Sequence, residues 1–141
     1  MITEDDYKSE ISKYSKYAVS SIKDYNIDEE AFSSQFDEAS NFMSLCERDL
    51  ADARAILEYT EALTYVSLRS GEKKSEAFIQ NLVTLNEDVQ KLRKDKRECE
   101  IRSGRMKGIL MALREKSEFL KRHGFVIKND YFEELINRKD N

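Results

Sequence analysis

From Phe32 to Leu57 the apolar residues fall at Phe32, Phe36, Ala39, Met43, Cys46, Leu50, Ala53 and Leu57, at steps that alternate between four and three. A seam of this period predicts a helix that buries one stripe against other helices in the manner of a coiled coil. Beyond Leu57 the stripe moves to Ile56, Tyr59, Leu63 and Val66, so either the seam drifts or a second face is in use. The helix is expected to stop near Ser70-Gly71. Roughly 40 residues at 1.5 Å each make about 60 Å of helix. A compact monomer of this length spans only about 30–35 Å. Such a helix projects from its own domain or packs along other chains.

The composition supports long helices throughout. The 141 residues include no proline and four glycines, so few breaks are encoded. Charged residues make up 37% of the chain, against about 25% in an average domain. The hydrophobic share of 40% is too high for a disordered chain. No stretch approaches the roughly 18 apolar residues of a membrane span. The start, Met1 to Asp6, lacks the basic-then-apolar pattern of a secretory signal. The expectation is a single soluble all-α domain of long antiparallel helices with a short C-terminal helix, assembling as an oligomer. Residues 1–26 are its N-terminal amphipathic helix, 27–128 its core, and 129–141 a docking or oligomerisation segment.

The other helices are placed by their stripes and caps. The first runs from about Glu4 to Tyr25, with Thr3 as N-cap and Ile2 and Tyr7 at the positions of a hydrophobic staple. Its apolar stripe is Tyr7, Ile11, Tyr14, Ala18, Ile22 and Tyr25, and its opposite face holds Lys8, Ser12, Lys16 and Lys23. Asp28 is placed to cap the long second helix, with Ile27 stapled to Phe32. Ser75 is placed to cap a short third helix whose apolar side is Ala77, Phe78, Leu82 and Val83. Asn86 caps a fourth, from about Glu87 to His123, with Leu92, Cys99, Met106, Leu110, Leu113, Ser117 and Leu120 as its stripe. Gly124 stands where a left-handed C-cap belongs. Gly104 and Gly108 lie inside this helix, permitting close approach of another helix or a bend. Tyr131, Phe132, Leu135 and Ile136 suggest a final short helix.

No residue pattern points to catalysis. The single histidine, His123, sits beside the expected cap glycine, and there is no phosphate-binding loop, HExxH or CxxC. Cys46 and Cys99 lie in apolar stripes and read as reduced core thiols of a cytoplasmic protein. No enzyme, cofactor or metal site is expected.

The concentrated chemical feature is charge. Residues 1–90 carry net −10, residues 91–128 net +8, and residues 129–141 net −2. Lys91, Arg93, Lys94, Lys96, Arg97, Arg102, Arg105 and Lys107 form the basic stretch, and Arg69, Lys73 and Lys74 a smaller cluster. Lys94, Arg97, Arg105 and Lys107 read as one broad flank away from the Leu92–Cys99–Met106 stripe. Such a surface gains from counterion release on a phosphate backbone without reading its sequence. The alternative is a solvated face neutralised by Asp95, Glu98 and Glu100. Surplus apolar surface predicts self-association through the first helix, the seam residues Phe32, Phe36, Met43 and Leu50, and the tail residues Phe125, Ile127, Phe132, Leu135 and Ile136.

With these features in place, the chain from about Ile27 to Lys128 resembles the UvsY recombination mediators of tailed phages. The matches run in order: Ile27-Asp28; Glu38-Ala39, Asn41 and Met43; Ala62-Leu63 ahead of Ser70-Gly71; Lys74-Ser75-Glu76; Asp88-Val89; Gly108-Ile109-Leu110; and Gly124-Phe125-Val126-Ile127-Lys128. The resemblance implies a helical, ring-like homo-oligomer that binds single-stranded DNA in the cytoplasm of an infected bacterium. It implies that the protein helps a RecA-like recombinase displace single-strand-binding protein, without metal or nucleotide. The family's Lys-x-Arg pair after Ala-Leu, implicated in gripping DNA, is replaced here by Thr64 and Val66. Two other readings stand beside it: a helical assembly or adaptor protein without DNA binding, and a small regulator acting through its first helix.

Overall fold

The structure, a computed structural model, describes residues 1–19, 29–70 and 74–139, with side chains described at 1–16, 18, 33–70, 74–119, 121 and 122. It is all-α, with helices α1 (Glu4–Val19), α2 (Glu29–Arg69), α3 (Glu76–Leu85) and α4 (Glu87–Lys139). Among the described residues no helix is long and apolar enough to cross a membrane.

The helix starts follow their capping chemistry. Thr3 Oγ1 accepts from the Asp6 amide at 3.2 Å, and Ser75 Oγ from the Phe78 amide at 3.3 Å. Asn86 Oδ1 accepts from the amides of both Asp88 and Val89, at 3.0 and 3.1 Å. Each bond satisfies a helix N–H that has no partner inside the helix. The expected cap at Asp28 and the Ile22 and Tyr25 end of the first stripe lie outside the described residues.

Two long helices form the frame. Arg54 pairs with Glu100 and Glu61 with Arg93, so α2 and α4 run antiparallel. At one end α1 lies antiparallel to α2, its Lys13 against Glu38 and its Ile2 against Asp49. The core there joins Tyr7, Ile11 and Tyr14 of α1, Ala39, Phe42, Met43 and Cys46 of α2, and Met106 and Leu113 of α4.

 Ala39 is wholly buried in this cluster. At the other end α3 packs Ile79 and Val83 against Leu57 of α2 and Val89 of α4. The helix-to-helix stripes are therefore largely satisfied within one chain.

Four expectations change. First, α4 does not end at Gly124. It runs unbroken to Lys139, so Gly124 is no C-cap and there is no separate C-terminal helix. The register set by Arg54–Glu100 and Glu61–Arg93 places the start of α2 opposite about residue 125 of α4, since both helices rise 1.5 Å per residue. The last part of α4 thus runs past the start of α2. Second, the inner residue of α3 is Ile79, with Val83, whereas Phe78 is exposed. Third, Met43 is buried against α1 and α4, and Phe36 packs on the same core, so neither is left over to join copies; Leu50 is half-buried. The side chains of Phe32, Phe125, Ile127, Phe132, Leu135 and Ile136 lie outside the described residues. Fourth, Gly104 and Gly108 are exposed, and a Cβ at either meets nothing within 4 Å, so no helix of the same chain needs them.

The shift of stripe after Leu57 is a second face. Ile56, Tyr59, Leu63 and Val66 are 52–67% exposed, and no helix of the described chain covers them.

Candidate nucleic-acid interface

An unbroken helix fixes where each basic residue of α4 points. At about 100° per residue, Lys91, Lys94 and Arg105 share one flank, with Arg97 on the outer ridge. Lys107 stands about 140° from Lys94 around the axis and leaves the flank expected of it. All five are exposed. Lys91, Lys94, Arg97 and Lys107 have no carboxylate partner among the described residues.

The remaining basic candidates are otherwise engaged. Arg102 is buried, not presented to solvent. Its guanidinium donates to the Ile2 carbonyl at 2.9 Å and to Glu98 at 3.1 Å, and stands 4.9 Å from the Tyr7 ring centroid. Beside it, buried Asp49 accepts from the Ile2 amide at 2.8 Å. This constellation latches the start of the chain to α2 and α4. Arg93 is paired with Glu61 at 3.1 Å and Lys96 lies 3.8 Å from Glu100. Arg69 is held by Glu76 and Tyr65, and hydrogen bonds from Tyr65 and Arg69 hold the Glu76 carboxyl below its ordinary range. Lys74 lies over the Phe78 ring at 5.9 Å, and Lys73 falls outside the described residues. Thr64 donates to the Thr60 carbonyl at 2.7 Å, and Val66 is an exposed apolar side chain, so neither restores the basic pair missing from α2.

Two of the grooves that border α4 differ in charge. Between α2 and α4 a groove of about 570 Å³ is lined by Arg54, Glu58, Glu61, Arg93, Lys96, Arg97 and Glu100. Its three carboxylates offset most of the charge of its four cations. Between α1 and α4 a groove of about 500 Å³ is lined by Tyr7, Lys8, Ile11, Ser12, Ser15, Lys16 and Arg105, with no carboxylate. Burial raises the Tyr7 phenol, and the positive charge of Arg105 opposes that rise. Sequence reasoning placed Lys8, Ser12 and Lys16 on the solvent face of the first helix. Their signal was their i, i+4, i+8 spacing, but nothing local indicated that Arg105 faces them.

The two cysteines are free and buried. Burial, reinforced by Asp49, pushes the Cys46 thiol up to about 11, and burial raises Cys99 as well. Neither is poised as a nucleophile at neutral pH.

No family model, curated protein or solved structure matches the chain.

Proposed function

We propose that the protein is a recombination mediator: a homo-oligomer that binds single-stranded DNA through its backbone and helps load a RecA-like recombinase in place of single-strand-binding protein. The observation that carries the DNA-binding part is the row Lys91, Lys94 and Arg105 on one exposed flank of α4. Glu98, which shares that flank, is paired with Arg102. Phosphates gain from such a row by releasing counterions, and no base needs to be read. The recombinase and single-strand-binding protein enter this reading from the ordered resemblance to the mediator family.

Self-association is supported by the outer stripe of α2. Ile56, Tyr59, Leu63 and Val66 recur at steps of three, four and three and lie exposed. Such a stripe is the spacing by which a second helix packs, and an exposed apolar stripe of this kind marks an interaction surface. It replaces Met43 and Phe36 as the candidate contact between copies.

Fluorescence anisotropy with labelled oligo-dT across a salt series tests the proposal. The expected result is binding whose log affinity falls linearly with log salt, by about 0.7 per phosphate contacted. The purified protein is then expected to restore recombinase filament formation on DNA already coated with single-strand-binding protein. Absence of oligo-dT binding at low salt contradicts the reading and leaves a helical assembly protein in its place.

A further inference from the structure

In the groove between α1 and α4 cations converge and no carboxylate lines the wall. Lys8 and Lys16 come from α1 and Arg105 from α4, with the Ser12 and Ser15 hydroxyls between them. Lys8 also touches Glu4 at 3.3 Å, but that pair is exposed on both sides and lies in water, where it holds little. The floor is apolar: Tyr7 and Ile11 are buried. The Tyr7 ring already packs on Phe42, with centroids 6.3 Å apart, and lies under Arg102, so it offers no free face to a base. The chemistry matched here is that of a phosphodiester, with cationic and hydroxyl donors above and room for a sugar beside an apolar wall. The groove's volume falls within the range of about 300–1,000 Å³ in which ligands are commonly held.

Arg105 belongs both to this groove and to the α4 flank that begins at Lys91, about 21 Å away along the helix. We infer that the α1–α4 groove is a phosphate-binding extension of the α4 flank, so that α1 forms part of the path of a single-stranded nucleic acid. This inference rests on the reading of the chain as a single-strand binder and adds residues that the basic stretch of the sequence does not contain. It also gives α1 a role besides covering the core. The latch of Ile2 on Asp49 and Arg102 fixes where α1 starts, and with it where Lys8 and Lys16 stand.

The experiment compares the full-length protein with Lys8→Gln/Lys16→Gln, with Ser12→Glu, and with Lys91→Gln/Lys94→Gln, each by oligo-dT anisotropy from low to moderate salt. Thermal melting of every variant checks the fold. The α1 double variant is expected to lower the salt slope by about 1.4 and to bind about 10- to 30-fold more weakly at 0.1 M salt, the loss of two single-strand phosphate contacts. Ser12→Glu, which puts a carboxylate between the cations, is expected to weaken binding in the same direction. If both leave affinity and slope unchanged while Lys91→Gln/Lys94→Gln weakens binding, the groove inference is overturned and the α4 flank stands. If the unaltered protein binds no oligo-dT, both fall. Competition by inorganic phosphate and by thymidine monophosphate separates a track from a small-anion site. Weak competition, matching that of other salts at equal ionic strength, supports the track, and saturation at micromolar concentration overturns it.

Discussion

Arg102 lies in the middle of the basic stretch, yet its guanidinium is turned inward to Ile2, Glu98 and Tyr7. A charge is retained in such a place only when hydrogen bonds and a partner replace its water. Arg102→Met keeps bulk but leaves the Ile2 carbonyl without its donor and removes the partner of Glu98. The expected cost is about 2–4 kcal/mol in urea denaturation, the range for losing charged hydrogen bonds in a buried site. A change below about 0.5 kcal/mol, the usual size for exposed positions, contradicts this placement. The residue was legible from sequence as basic, and not as buried, because the group it serves stands 100 positions away. The thiols make a second residue-scale statement. Cys46 is raised to about 11, and Cys99 and Tyr7 are raised too, each chiefly by burial. A folded pKa above the unfolded value means the neutral form is favoured in the fold. That stability is fully present below the unfolded thiol pKa of about 8.5 and is lost as pH rises toward 11. The melting temperature is therefore expected to fall between pH 8 and pH 10.5, and a flat profile over that range is the contrary result.

At the scale of elements, the caps were the most legible part. Thr3, Ser75 and Asn86 act on amides two or three residues away, so their bonds depend on local sequence alone. The stripes of α1, α2 and α4 were legible for the same reason, since buried Ile11, Cys46, Cys99 and Leu113 repeat at helical spacing. The end of α4 was not. A glycine after a basic turn is the signature of a C-cap, but a helix can also pass through glycine at a cost of about 1 kcal/mol, and here it does so at Gly124. Gly104 and Gly108 carry the same cost with open space around them. Gly104→Ala and Gly108→Ala are each expected to raise the stability of the chain by about 1 kcal/mol in chemical denaturation. A loss of stability in either variant contradicts the open surface seen there. The α1–α4 groove was hidden for a different reason: periodicity places Lys8 and Lys16 on a polar face, and only the docking of α1 beside Arg105 makes that face a site.

The whole molecule is a long antiparallel pair, α2 with α4, with a small core under α1 and another under α3. Because the seam from Phe36 to Leu57 is turned largely inward, the outer stripe of α2, not the seam, is the apolar surface proposed for a partner. Tyr59→Glu/Leu63→Glu is expected to shift the protein to smaller species in light scattering while its helical circular dichroism is retained. Unchanged particle size places the contact between copies elsewhere. Charge acts at this scale as well. The acidic part, residues 1–90, meets the basic part, residues 91–128, along α2 and α4, where Glu61 pairs with Arg93 within the fold. Among the described residues, the surface proposed for a polyanion is the flank from Lys91 to Arg105 with the α1–α4 groove, and the proposed assembly would multiply it along one strand.

Native mass spectrometry with and without a short single-stranded oligonucleotide tests that claim most directly, because it reports subunit number and bound DNA on the same particles. The account predicts a multi-subunit species that gains the mass of the oligonucleotide and sheds it as ammonium acetate is raised. A single subunit that gains no oligonucleotide at any salt contradicts it.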